Sequence, residues 1–388
     1  MLGGCIVDHW RDLIAGTGME KLAAAAGLPY QAWSEQFPGA RPFAYFCSYW
    51  PEELTMAFGW EPVRIFPPAK AGTPARLPTY CCSVARGCLE QGERGDLPFR
   101  EAGFAHTCDT MQCLSQIWRY AVSEAAVTFV PPVTLNAPGA RQYCAAELER
   151  VGRQLERLSG RAFVPDDLRR AIALNNRVRA LAQKLAELRP YLPAALAARL
   201  QRTAQVVPRS LYAQALAEIL PGLQKLAGEQ AQGGTPAERG KGKDPFRRVL
   251  ISGAVLENEE VPALLEGLGA RVVADDTCAG DRHFAGMAEE TGDPYEALAA
   301  RILRRPPCPC RHQGLHARRD YLLELARSHQ AEAALLILRK YCDPHAWDAV
   351  SLARELRAAG LPVYVLELEG ASPGGQEKTR LQAFLECL

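Results

Sequence analysis

Seven of the thirteen cysteines in this 388-residue chain stand where a thiol can be aimed at one place. Cys47 ends the aromatic run PFAYFC, Cys108 ends FAHTC, and Cys278 ends RVVADDTC. Cys342 follows the apolar run Ala333–Leu338 by a few residues, just before a turn at Asp343-Pro344. Cys82, beside Cys81, opens a helix-like stretch, and Cys308 and Cys310 form the short CxC of PPCPC. In an open parallel sheet, ligands collect in the crevice outside the carboxyl ends of the strands. Thiols at several strand ends could therefore face a common crevice. Thiolate is the ligand form for iron–sulfur clusters, at about four per cubane. The expectation is that these cysteines help to hold such a cluster. The tight CxxCxxC run of a ferredoxin is absent, as are the paired CxxC knuckles of a zinc ribbon. What marks the chain is the distribution: both halves offer thiols from the same kind of position, which predicts a site between domains. The competing reading for any one cysteine is apolar packing, and it is the expected one for Cys5, Cys144 and Cys387 in or beside helix-like sequence.

Other chemistry is less marked. The glycines of ISGAVLENEE lack the GxGxxG spacing of a dinucleotide site, and no Walker motif offers a phosphate cradle. His106, His283 and His345 lie near candidate cysteines and are expected to pack or to hydrogen-bond.

The positioning elements follow from periodicity. Strand-like runs at 42–47, 61–68, 104–108 and 125–131 alternate with helical stretches, which argues for a parallel α/β layer. Glu52 and Glu53 sit behind Pro51 at a helix start, where acids suit the helix dipole. From 142 to about 230 the pattern is amphipathic helix throughout, with acid–base pairs at close spacing. A glycine-rich polar stretch, 228–244, reads as a linker. A second α/β unit follows, with strands at 248–253, 271–275, 335–342 and 362–367 and a last helix from about 376. The expected plan is an N-terminal α/β domain over 1–141, a helical region over 142–232 and a C-terminal α/β domain over 245–388.

Composition bounds the rest. Hydrophobic residues make up 48% and charged residues 23% of the chain, a globular profile. With 45 Lys and Arg against 44 Asp and Glu, the net charge of +1 gives no reason to expect nucleic acid or an anionic membrane as partner. No run of about 18 apolar residues predicts a membrane span. The N-terminal MLGGCIVDHW lacks the features of a secretion signal. A cytoplasmic location is expected, where thiols stay reduced.

The stretches YFCSYWPEELTMAFGWEPVRIF, LPTYCCSVARG, TCDTMQCLSQIW, DDTCAGDRHF, PPCPC, KYCDP and KTRLQAFLECL together resemble the 2-hydroxyacyl-CoA dehydratase and benzoyl-CoA reductase subunit family, which includes the double-cubane cluster proteins. The resemblance covers nearly the whole chain, the helical middle least. It implies two parallel-sheet, Rossmann- or flavodoxin-like α/β domains with a helical insert. It implies a 4Fe-4S cluster on three cysteines, which match Cys82, with Cys81 as its neighbour alternative, Cys108 and Cys342. Double-cubane proteins are similar at Cys47, Cys278 and the pair Cys308 and Cys310. Two cubanes bridged by sulfide need about six thiolates, so the double-cubane (8Fe-9S) branch is the favoured expectation and a single 4Fe-4S cluster the alternative. Glu53 matches an acidic position near the dehydratase active site and is the expected base; its other reading is an acid that favours the helix N-terminus. The resemblance also implies ATP-dependent, low-potential electron supply from a separate activator ATPase carrying its own cluster. A homodimeric reductase of a small molecule is expected. The alternatives are a CoA-thioester dehydratase or reductase subunit paired with a paralogue, and a non-catalytic electron carrier or scaffold.

Overall fold

The computed structural model describes residues 10, 12–68, 72, 74–232, 246–314 and 316–388. Eight strands form two four-stranded sheets, both parallel throughout. The first contains β1 (Pro42–Tyr45), β2 (Glu61–Arg64), β3 (Ala102–Ala105) and β4 (Ala126–Phe129) in the order β2-β1-β3-β4. The second contains β5 (Arg247–Gly253), β6 (Ala270–Thr277), β7 (Ala333–Arg339) and β8 (Val363–Leu368) in the order β6-β5-β7-β8. The two orders are the same. In each, the chain runs outward to one edge and then returns to the other side of its first strand. That reversal opens a crevice at the carboxyl ends of β1 and β3, and of β5 and β7.

The helices in chain order are α1 (Gly18–Ala25), α2 (Trp33–Gln36), α3 (Glu52–Ala57), α4 (Ser83–Glu93) and α5 (Asp109–Ala121). The middle of the chain supplies α6 (Ala140–Ser159), α7 (Pro165–Glu187), α8 (Ala194–Val206) and α9 (Arg209–Gln232). The last part of the chain supplies α10 (Glu260–Gly267), α11 (Asp281–Phe284), α12 (Pro294–Leu303), α13 (Ala317–Ser328), α14 (Asp343–Ala358) and α15 (Gly375–Glu386). Among the described residues no helix is long and apolar enough to cross a membrane.

Alternation along the strands divides each sheet into two apolar faces. On the first sheet, Ala44, Phe46, Ala102 and Phe104 pack with Leu200 of α8 and Leu216 of α9. Phe43, Tyr45, Ala105 and Val127 point the other way, onto Leu148 of α6, Ile172 of α7 and Leu298 of α12. The middle helices thus cover both faces of the first sheet. The second sheet is closed by α10 and α15 over Ile251, Leu335 and Leu366, and by α13 and α14 over Leu250, Leu336 and Val363. Helix α12 goes beyond the sequence expectation. Its start was written in the sequence, since Asp293 caps the amide of Glu296 and Pro294 occupies the first turn.

Gly253 ends β5 at φ 143°, a conformation that a side chain resists, and an added Cβ there would lie 2.1 Å from the Ile337 carbonyl oxygen. The absent side chain lets β5 and β7 approach closely where the chain leaves the sheet toward Ala254 and Val255. We predict that Gly253→Ala lowers unfolding stability by about 2 kcal/mol or more, because overpacking is added to backbone strain. The urea midpoint reads this directly. An unchanged midpoint would mean that the strand ends part without cost.

Candidate metal centre

The local sequence that ends each strand also places each thiol. Cys47 follows β1. Cys82, Cys108 and Cys342 are the residues immediately before α4, α5 and α14, each at the N-cap position. A helix N-terminus carries free amides and partial positive charge, which favours thiolate. Cys278 follows β6. Cys308 and Cys310 share a tight turn in which Cys308 and Arg311 exchange backbone hydrogen bonds of 2.9 and 3.1 Å. Tyr341, at φ 62°, is one of two non-glycine residues with positive φ among those described, and it turns the chain sharply into Cys342.

All seven cysteines line one cavity of about 750 Å³, counting space open to solvent. Its other walls are largely apolar, with Phe46, Val84, Met111 and Val255, and three arginines, Arg64, Arg282 and Arg339, also face it. Among the described residues, no Asp or Glu lines it. Cys82 belongs to the wall and Cys81 does not. Among the described residues, no three Cys, His, Asp or Glu side chains already stand as the shell of a single metal ion. A cubane is wider than an ion, and its thiolates stand correspondingly further apart. The donor set fits an iron–sulfur group: soft sulfur ligands in a largely apolar recess, with no carboxylate to compete.

The thiols are electrostatically unequal. A hydrogen bond from Cys342, opposed by burial and helped by the amides of Val84 and Ala85, brings Cys82 down to about 7. The same bond, with burial, pushes Cys342 up. A hydrogen bond with Cys310 outweighs burial and, with Arg282, brings Cys308 down to about 5, while Cys310 goes up. Burial raises Cys108 to about 12 and also raises Cys278.

Buried arginines hold the loops that carry these residues. Arg64 Nη1 donates to the Cys278 carbonyl at 2.8 Å and to Gln205 Oε1 at 2.6 Å. In the reverse direction, Arg305 donates to the carbonyl of Ser48, beside Cys47. Arg311 donates to the carbonyls of Thr107 (3.2 Å) and His106, beside Cys108. Each half of the molecule therefore grips thiol-bearing loops of the other.

Glu53 lies outside the thiol cavity. It lines a smaller adjoining chamber of about 320 Å³, counting space open to solvent, with Glu52, Arg179, Arg209, His283 and Arg301, and Ser48 belongs to both walls. Glu53 is 2% exposed and ion-paired with Arg179. Burial pushes its carboxyl up, but Arg179 and Arg301 outweigh this and hold it below the usual range. Glu52, which the sequence reading did not single out, takes two bonds from Arg209, at 2.9 and 3.0 Å, and lies 3.1 Å from His283 Nε2. The sequence signal was the doubled acid of PEEL.

The histidines hydrogen-bond, as expected. His106 Nε2 lies 2.9 Å from Ser115 Oγ, and His345 Nδ1 lies 3.2 Å from Cys342 Sγ. Of the cysteines assigned to packing, Cys144 is buried in α6, whereas Cys387 is exposed at the end of α15, so the packing expectation fails there. The apolar face of α15 is spent on Leu381 and Leu385. Cys5 lies outside the described residues.

Burial drives His283 from 6.5 down to about 3, against the opposing pull of Glu52. The folded protein therefore keeps this ring neutral while the unfolded chain protonates it. Stability is full above about pH 6.5 and is lost as pH falls toward 3, at up to about 1.4 kcal/mol per pH unit. We predict that His283→Gln removes one proton's worth of this slope in denaturation experiments between pH 6.5 and 4.5. A variant with the wild-type slope would show that the ring is protonated in the fold.

The family model described as 2-hydroxyglutaryl-CoA dehydratase, D-component, matches residues 47–388. The (R)-phenyllactyl-CoA dehydratase beta subunit of Clostridium sporogenes is 21% identical over 351 residues, covering 88% of this chain and 90% of that one. The lactoyl-CoA dehydratase subunit beta of Anaerotignum propionicum is 26% identical, covering 88% and 90%. A benzoyl-CoA reductase subunit of Thauera aromatica is 26% identical, covering 90% and 91%. The chain belongs to the 2-hydroxyacyl-CoA dehydratase and benzoyl-CoA reductase family of enzyme subunits.

Proposed function

We propose that this chain is an iron–sulfur reductase that holds a double-cubane cluster and receives electrons, at the expense of ATP, from a separate activator ATPase. The observation that carries the reading is the meeting of seven thiols from both sheets in one cavity. In this reading Cys82, Cys108 and Cys342 hold one cubane. Cys47, Cys278 and one of Cys308 or Cys310 hold the other. A cluster bound there supplies one-electron reduction at low potential. The protein's part is to present thiolates, to keep water away with Phe46, Val84, Met111 and Val255, and to fix the loops through arginine. For Glu53 to act as a base toward the cavity, Arg179 must first release its carboxylate. The assembly we propose is a homodimer.

A second reading has its own support. The relatives are named as beta subunits of CoA-thioester dehydratases and as a benzoyl-CoA reductase subunit. On that reading the chain pairs with a paralogue and holds one 4Fe-4S cluster on Cys82, Cys108 and Cys342. The presence of a thiol-lined cavity weighs against the third expectation, a carrier with its cluster near the surface and no pocket.

Cys278→Ser separates the first two readings. With a double cubane, anaerobically purified wild type carries about eight irons per chain, at four per cubane, and the variant falls toward four with a changed paramagnetic resonance signal. About four irons in both proteins would overturn the double-cubane reading and leave the thioester subunit.

A further inference from the structure

The charge around the thiol cavity does not balance. Arg282 is answered by Asp276, and Arg339 by Glu257. Arg64, Arg305 and Arg311 are 1%, 1% and 4% exposed. None of these three has a carboxylate within 4.0 Å among the described residues. Their partners are neutral: backbone carbonyls, and Gln205 for Arg64. Arg64 lines the cavity itself. Arg305 stacks 4.3 Å over the ring of Tyr49, a wall residue, and Arg311 donates to the carbonyl of Cys310, another. A buried cation is costly unless an anion answers it, and among the described residues the cavity wall supplies no carboxylate.

We propose that Arg64, Arg305 and Arg311 are fixed counter-charges for an anionic, thiolate-bound cluster in this cavity, and that they raise its reduction potential. The inference rests on the proposed function. Positive charge close to a redox centre favours its reduced, more negative form, and net charge is one of the determinants of cluster potential. Arg64 is the most direct test because it faces the cavity. It is a positioning residue as well, through Cys278, so charge and hydrogen bonding must be separated.

Arg64→Gln removes the charge, Arg64→Lys keeps it, and Gln205→Leu leaves the charge in place but removes hydrogen bonds, the acceptor for Arg64 and the bonds that Gln205 donates to the carbonyls of Gln201 and Ala279. Iron and sulfide content and the midpoint potential are measured on each anaerobically purified protein. We expect Arg64→Gln to shift the potential to more negative values, with Arg64→Lys and Gln205→Leu close to wild type. Loss of iron in Arg64→Gln but not in Arg64→Lys equally supports a need for the charge. An unchanged potential in Arg64→Gln, or equal shifts or equal iron loss in the glutamine and lysine variants, overturns the proposal. Wild-type protein without iron and sulfide would instead refute the proposed function on which it rests.

Discussion

The structure depends on a reciprocal set of arginine-to-carbonyl bonds between its two sheets. Arg64, at the end of β2, reaches the loop after β6, while Arg305 and Arg311 reach back to the loops after β1 and β3. A guanidinium presents several donors in a rigid plane, so one side chain can satisfy several carbonyls at once. Buried carbonyls at strand ends need such partners. Using arginine for the task fixes the loops and also leaves positive charge around the space that they enclose.

That space and its neighbour differ in the carboxylates that they hold. In the adjoining chamber, two glutamates answer Arg179 and Arg209, and His283 is held neutral between them and the first sheet. The thiol cavity has arginines and no acid in its wall. The third arginine of the adjoining chamber, Arg301, is held by the carbonyls of His283, Ala285 and Gly286. A cavity short of negative charge is a place for an anion. The single serine common to both walls, Ser48, is the residue whose carbonyl Arg305 holds.

Much of this was legible in the sequence, for physical reasons. Apolar runs closed by cysteine state both a strand and the thiol at its end, so the alternation of strands and helices and the seven thiols could be read together. The distinction between Cys81 and Cys82 could not, because it turns on which residue stands at the N-cap of α4. The arginine bonds were invisible: Arg64 and Cys278 are 214 positions apart, and Arg305 and Ser48 are 257. No local pattern records such a pairing. Glu53 was legible as an acid at a helix start, but its engagement with Arg179, 126 positions away, was not.

The account stands on what occupies the thiol cavity. Crystals of anaerobically purified protein, with diffraction collected on both sides of the iron absorption edge, would locate every iron atom without assuming its ligands. The account predicts anomalous density for two adjoining cubanes between the sheets, with Cys82, Cys108 and Cys342 on one side and Cys47, Cys278 and Cys308 or Cys310 on the other. Iron bound elsewhere, or a cavity with seven free thiols and no iron in protein that has kept its native metal, would contradict it.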